Sequence, residues 1–301
     1  MPVLSVKRPL RLGIVGLGRM GMRHWHTWQQ LDNVELVAIC DPDPQVRQWA
    51  SRQQLPCYTD VAQLGCNIDI AVVASPSSTH HQCTLGLLTN RIACLVEKPL
   101  ALGSEECRQL LGCARQNAVL LAVGQCERFN PGVIQALQAL KHSPTSLEVF
   151  RHASHAAPPD SDVIDDLLVH DLDWLLHSGQ RLFASEVLTS RWGGAKLQAI
   201  SCRLDFVSGL QVCVSAGYET LRRREVLISS GTAAGRISLE WQPVPGQADP
   251  LRLQALAFLA ALQSCSSPIA TAEQALQVTQ LCEQLRQQER DKALARAYCD
   301  A

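Results

Sequence analysis

Through its first 125 residues the chain alternates short, mainly apolar and β-branched runs with segments whose apolar positions recur every three or four residues. The runs are LRLGIVG ahead of Leu17, VELVAIC (34–40), IDIAVVAS (68–75), IACLVEKP (92–99) and AVLLAVG (118–124). Strands without a polar face are buried on both sides, so this half reads as a parallel sheet covered by helices, a doubly wound α/β domain. After Asn130 the pattern changes. A helix over about 131–141 leads to a strand (147–152), a polar loop containing Pro158 and Pro159, and a leucine-rich helix over 163–177. Five β-rich stretches follow, at about 182–192, 196–207, 210–218, 223–230 and 235–241, separated by turn signals such as Gly193-Gly194, Ser208-Gly209 and Gly231. Turn-length gaps between consecutive strands predict antiparallel pairing. Two helices, 251–264 and 271–290, close the pattern, and Thr271 with Gln274 forms a capping box for the second.

The helix at 163–177, VIDDLLVHDLDWLLH, carries unusual chemistry for an element that must dock. Ile164, Leu167, Leu168, Leu172, Leu175 and Leu176 supply the docking face. Read as one straight helix, Asp166, His170, Asp173 and His177 share another face, at spacings of four, three and four. Residues three turns apart lie roughly 16 Å apart along the axis, too far for one metal ion, and no metal is expected. Asp171 falls nearer the leucines and calls for a structural partner such as an arginine.

Composition narrows the classes. With 301 residues the chain exceeds the usual single domain, and the expected division is 1–125 and 126–301, the terminal helices free to pack back on the first part. Its 27 basic and 28 acidic residues are nearly balanced and form no basic stripe, which excludes nucleic acid as the expected partner. No apolar run approaches the roughly 18 residues that span a bilayer, and MPVLSVKRPL lacks a signal peptide's apolar core; no membrane contact and a cytoplasmic location are expected. The 13 cysteines are scattered without any C-x-x-C pair and read as free thiols used for packing.

Gly16-Leu17-Gly18-Arg19-Met20-Gly21 is a G-x-G-x-x-G between a predicted strand and a predicted helix. The first glycine makes a tight turn, the second admits a pyrophosphate, and the third lets the helix pack closely. The helix N-terminus, with Arg19 and Met20, offers bare N–H groups to the anion. Asp41 ends the second strand, twenty residues past Gly21, where a carboxylate accepts from ribose hydroxyls. Asp43 follows and no arginine adjoins Asp41, so NAD is favoured; Arg19 and Arg47 keep NADP open. The expectation is an N-terminal Rossmann dinucleotide-binding domain joined to an α+β domain with a mostly antiparallel open sheet.

GLGRMG, SPSSTH (75–80), VEKPLA (96–101) and the D-x-x-x-H of Asp166 and His170 occur in an order that resembles the Gfo/Idh/MocA oxidoreductases, the family of glucose–fructose oxidoreductase and inositol dehydrogenase. The resemblance implies Lys98 and His170 as catalytic pair, with Asp166 beside them, and places Ser75, Pro76, His80, Glu97 and Lys98 at the cofactor. Chemistry asks for the same types independently. Oxidising a secondary alcohol needs a base for the hydroxyl proton, and histidine suits that task at neutral pH. Lys98, at the carboxyl end of a sheet strand, can favour a developing alkoxide.

VGQCERFNPGV (123–133) and the run from Arg151 to Asp173 are similar to a branch acting on UDP-N-acetylglucosamine-type sugars, although the loop at 152–161 lacks a further basic residue expected there. That likeness implies Arg128, Asn130 and Arg151 as substrate ligands, alongside Lys98, Asp166 and His170. Asn130 before Pro131 is equally a good helix N-cap. The function implied is NAD-dependent oxidation of a sugar or nucleotide-sugar hydroxyl, best the 3-hydroxyl of UDP-N-acetylglucosamine. The alternatives are a dehydrogenase of a free sugar or inositol, and a non-catalytic NAD-binding regulator. A homodimer or homotetramer through the C-terminal sheet is expected.

Overall fold

The computed structural model describes residues 8–65, 67–155, 161–231, 233–244, 246–263 and 267–299. In chain order the first half reads β1 (Leu10–Val15), α1 (Arg19–Trp28), β2 (Val34–Cys40), α2 (Pro44–Arg52), β3 (Cys57–Tyr58), α3 (Val61–Leu64), β4 (Ile70–Val73), α4 (His80–Thr89), β5 (Ala93–Glu97), α5 (Ser104–Asn117) and β6 (Leu121–Gly124). The second half begins with α6 (Pro131–Leu140), β7 (Ser146–Ala153), α7 (Val169–Leu176), β8 (Leu182–Gly193), β9 (Lys196–Phe206), β10 (Gln211–Tyr218), β11 (Arg223–Ser230) and β12 (Ala233–Ser238). The chain closes with α8 (Pro250–Leu262), β13 (Ala270–Thr271) and α9 (Ala272–Cys299). Among the described residues no helix is long and apolar enough to cross a membrane. Pro158 and Pro159 lie outside the described residues.

Two compact units result, Met1–Cys126 with Ala248–Leu276, and Glu127–Gln247 with Gln277–Ala301. The boundary at residue 125 is thus not a single cut. The first unit takes back α8 and β13 because they have apolar surface to bury there: Phe258 packs edge-on against Trp28, ring centroids 6.2 Å apart, and β13 pairs antiparallel with β6. Thr271 and Gln274 exchange side-chain-to-backbone bonds of 3.1 and 3.3 Å, the reciprocal cap that starts α9. The sheet runs β3-β2-β1-β4-β5-β6-β13, with β1 to β6 all parallel. Every residue of β4 and β5 is buried, which explains why their sequence is apolar up to Glu97 at the end of β5. Strand order reverses between β1 and β4, so ligands are expected at the carboxyl ends of these strands.

The second unit holds a six-stranded sheet ordered β12-β11-β7-β10-β9-β8. Here the expectation that consecutive strands simply pair fails at one place. β7 inserts between β10 and β11 and runs parallel to β10 over its full length, Ser146 opposite Gln211 through Ala153 opposite Tyr218. Gap length reports how far the chain travels and not which earlier strand has filled the slot. The sheet's inner face, including Val149, Cys202, Leu204, Val212 and Val214, packs against Ile164, Leu168, Leu172, Leu281 and Leu285.

Ile164–Leu168 forms a π turn ahead of α7, so 163–177 is not one uniform α-helix. At the sheet margin, the Gln288 amide donates to Ser185 O (2.9 Å) and accepts from Val187 N (3.0 Å), while Lys292 Nζ donates to Val187 O.

Candidate active site

In the first unit, the glycine motif is shaped by space. Gly16 has φ +82°, and a Cβ there would lie 2.5 Å from Ser75 Cα. A Cβ on Gly21 would lie 2.0 Å from Gly16 O, so α1 can begin against the loop only without one. Gly18 is different: a Cβ would meet nothing within 4 Å, and no side chain caps α1. Open space beside uncapped N–H groups is what a dinucleotide's pyrophosphate needs, so these residues fit the cofactor. Arg19 and Met20 open the helix there. Asp41 is buried, with Oδ2 accepting from Leu17 N (2.8 Å) and Oδ1 from Asp43 N (2.9 Å). Each oxygen keeps a second lone pair, which leaves capacity for ribose hydroxyls.

The turns after β4 and β5 meet through His80. Its ring is 1% exposed, with Nδ1 2.7 Å from Pro99 O and Nε2 2.9 Å from Ser75 O. Ser75 and Thr79 hydroxyls stand 2.8 Å apart, and Thr79 also donates to Pro76 O. The resemblance implies a place for His80 beside the nicotinamide ribose; its ring nitrogens face the carbonyls of these two turns. Glu97, which the resemblance also places at the cofactor, is 7% exposed. His24 Nε2 donates to Glu97 Oε1 (2.8 Å), Trp28 Nε1 donates to His24 Nδ1 (3.4 Å), and Lys98 N donates to Glu97 Oε2 (3.3 Å). Burial pushes the Glu97 carboxyl up, but the His24 hydrogen bond and the charges of Lys98 and His80 outweigh it and hold it below the ordinary 4.5. Lys98 itself is half-buried, joined to Pro99 by a cis peptide.

In the second unit, the π turn separates residues that a straight helix would align. Asp166 lies within it and accepts from Tyr218 Oη at 3.0 Å. Burial and the neighbouring Asp166 push the Tyr218 phenol up, so it stays a donor. His170 follows on the first turn of α7. Asp173 and His177 turn instead to Arg128, which donates bidentately to Asp173 at 2.7 Å from both Nε and Nη2 and lies 3.1 Å from His177 Nδ1. Arg128, expected at cofactor or sugar, is thus engaged in an ion pair with Asp173.

Arg151, implied as a substrate ligand, is engaged within the second unit. It is 1% exposed and bidentate to Asp171 (2.6 and 2.8 Å), which also accepts from Trp174 Nε1 (3.0 Å). Arg151 reaches Glu127 as well (3.3 Å), and Glu127 accepts from Arg224 at 3.1 Å. Burial pulls the Arg151 guanidinium down, yet the charges of Asp171 and Glu127 more than reverse this. The arginine expected for Asp171 is Arg151. Asn130 caps α6, accepting from Gly132 N (2.9 Å), and donates to Leu239 O (2.9 Å), as the N-cap reading expects. Tyr218, Glu127 and Arg224 were missed from the sequence; only the sheet order shows that β10 and β11 bring Tyr218 and Arg224 here, while Glu127 lies in the turn Cys126–Phe129 ahead of α6.

Comparison with known proteins places these features. Residues 10–125 match the model of the oxidoreductase family with NAD-binding Rossmann fold. UDP-N-acetylglucosamine 3-dehydrogenase of Acidithiobacillus ferrooxidans is 30% identical over 169 residues, 56% of this chain and 53% of that protein, so the match spans about half of that relative's length. Inositol 2-dehydrogenase 4 of Saccharopolyspora erythraea is 26% identical over 75% of this chain and 73% of its own. The solved structure of the Acidithiobacillus enzyme shares the fold with TM-score 0.82 at 22% identity, covering 93% of this chain and 97% of that one. Myo-inositol 2-dehydrogenase from Lactobacillus plantarum shares it with TM-score 0.81 at 18% identity, covering 95% and 98%. Residues 10–125 are an NAD-binding Rossmann domain that matches the Gfo/Idh/MocA oxidoreductase family model.

Proposed function

We propose that the protein is an NAD-dependent dehydrogenase of a secondary hydroxyl on a sugar or nucleotide sugar, with UDP-N-acetylglucosamine, oxidised at its 3-hydroxyl, as the substrate. The observation that carries the reading is the Asp166 carboxylate, fixed by Tyr218 at the π turn just before His170. Gly16, Gly18, Gly21 and Asp41 would hold NAD, which would supply the hydride acceptor. His170 takes the hydroxyl proton, and Asp166 binds a neighbouring hydroxyl and favours the imidazolium so formed. Lys98 favours the developing alkoxide with its ammonium. Similarity to the Acidithiobacillus enzyme supports the choice of sugar. Phe183, 79% exposed, and Trp192, 47% exposed, on edge strand β8 support assembly as a homodimer or homotetramer through this sheet.

Arg151 favours a second reading. Its guanidinium is committed to Asp171 and Glu127 and is not offered to a diphosphate, which suits an uncharged substrate such as a free sugar or inositol. NADH formation with UDP-N-acetylglucosamine, free sugars and myo-inositol decides between them. Turnover with the nucleotide sugar that falls about 10²-fold or more in His170→Ala supports the first reading. Turnover with inositol alone supports the second, and NAD binding without turnover on any of them supports a regulator.

A further inference from the structure

We propose that His80 is a positioning residue held as a buried imidazolium, a strap that fixes the Lys98–Pro99 segment through the Pro99 carbonyl. This rests on the reading of Lys98 as the group that favours the alkoxide.

The two ring nitrogens of His80 lie 2.7 and 2.9 Å from carbonyl oxygens, Pro99 O and Ser75 O. A carbonyl only accepts, so satisfying both contacts requires both nitrogens to donate, which a neutral imidazole cannot do. Nearby His24 shows the contrast: its Nδ1 accepts from Trp28 and its Nε2 donates to Glu97. Two effects oppose a charge on His80. The ring is 1% exposed, and it stands on the first residue of α4, where a helix end disfavours a cation. A buried charge persists where it is paired and hydrogen-bonded. The two carbonyls supply the hydrogen bonds, and the buried Glu97 carboxyl, held low first by His24 and only lastly by His80, contributes negative charge.

The consequence is mechanical. Lys98 N is held by Glu97 Oε2, and Pro99 O, one residue on, is held by His80. The backbone that carries the Lys98 side chain is therefore pinned on both sides of its Cα. Ser75 O, the other end of the strap, belongs to the turn that Gly16 packs against. One imidazolium thus couples the pyrophosphate loop's neighbour to the lysine's turn.

Two conservative variants separate the bonds, because the amide nitrogen of asparagine sits where Nδ1 does and that of glutamine where Nε2 does. His80→Asn keeps the tie to Pro99, and His80→Gln keeps the tie to Ser75. Turnover of the Asn variant is expected to stay within about threefold of wild type, and that of the Gln variant to fall about tenfold or more, with NAD affinity and melting temperature alike in both. Equal loss in the two variants, tracking melting temperature, overturns the positioning role. Nitrogen-15 NMR of the histidine rings tests the charge without any substrate. The signal lost in both variants should show two protonated nitrogens at neutral pH; one bare nitrogen overturns the strap even if a sugar is oxidised. Two protonated nitrogens in a protein that turns over no sugar uphold the strap and count against the dehydrogenase.

Discussion

Single residues carry the sharpest expectations. Gly18→Ala adds a Cβ that touches no protein atom, so the melting temperature should be unchanged while NAD affinity drops about tenfold or more. Gly21→Ala drives a Cβ to 2.0 Å from Gly16 O and should unfold the loop, lowering melting temperature and affinity together. Thermal melts with and without NAD distinguish the two. Glu97 makes a pH expectation. Its folded carboxyl sits below 4.5, so its stabilisation is full above that value and is lost as pH falls through the folded one. Urea unfolding should show wild type more stable than Glu97→Gln at neutral pH, by on the order of 1–3 kcal/mol, with the two converging in acid. The glycine motif was legible in sequence because its demands are local. The burial of His80, Glu97 and Arg151 was not legible, because a motif shows residue type and order, while burial depends on which partners arrive from elsewhere in the chain.

At the scale of elements, the helix at 163–177 was legible as a docked element with a chemical face. Its π turn was not, since an extra residue in one turn leaves the leucine spacing almost intact. The turn sends Asp166 to Tyr218 and Asp173 to Arg128, dividing what looked like one array. Asp171 locks this helix to β7 through Arg151, a pair with exposures of 0% and 1%. Asp171→Asn leaves a buried guanidinium short of its counter-charge and should cost about 3–5 kcal/mol by denaturant unfolding. Glu273→Gln, removing the surface pair with Arg115, should cost less than about 1 kcal/mol.

For the whole molecule, a parallel sheet in the first unit followed from the pattern of apolar runs and the terminal helices were left free to pack back on it, but the strand order and the return of residues 248–276 in particular did not follow. No local signal marks that return; apolar α8 is as consistent with one core as with the other. A fragment ending at residue 125 lacks β13 on β6 and Phe258 on Trp28. It should unfold at lower denaturant than the same fragment with 248–276 joined by a linker, read by tryptophan fluorescence. Gln288 and Lys292 on α9 have a different kind of consequence. β8 is a twelve-residue strand at the end of its sheet, long enough to template a foreign strand. With Ser185 O, Val187 N and Val187 O already occupied, an intruder zipping along that margin from either end meets filled positions midway. The tail of α9 thereby acts as a stop against runaway ribbon growth between molecules.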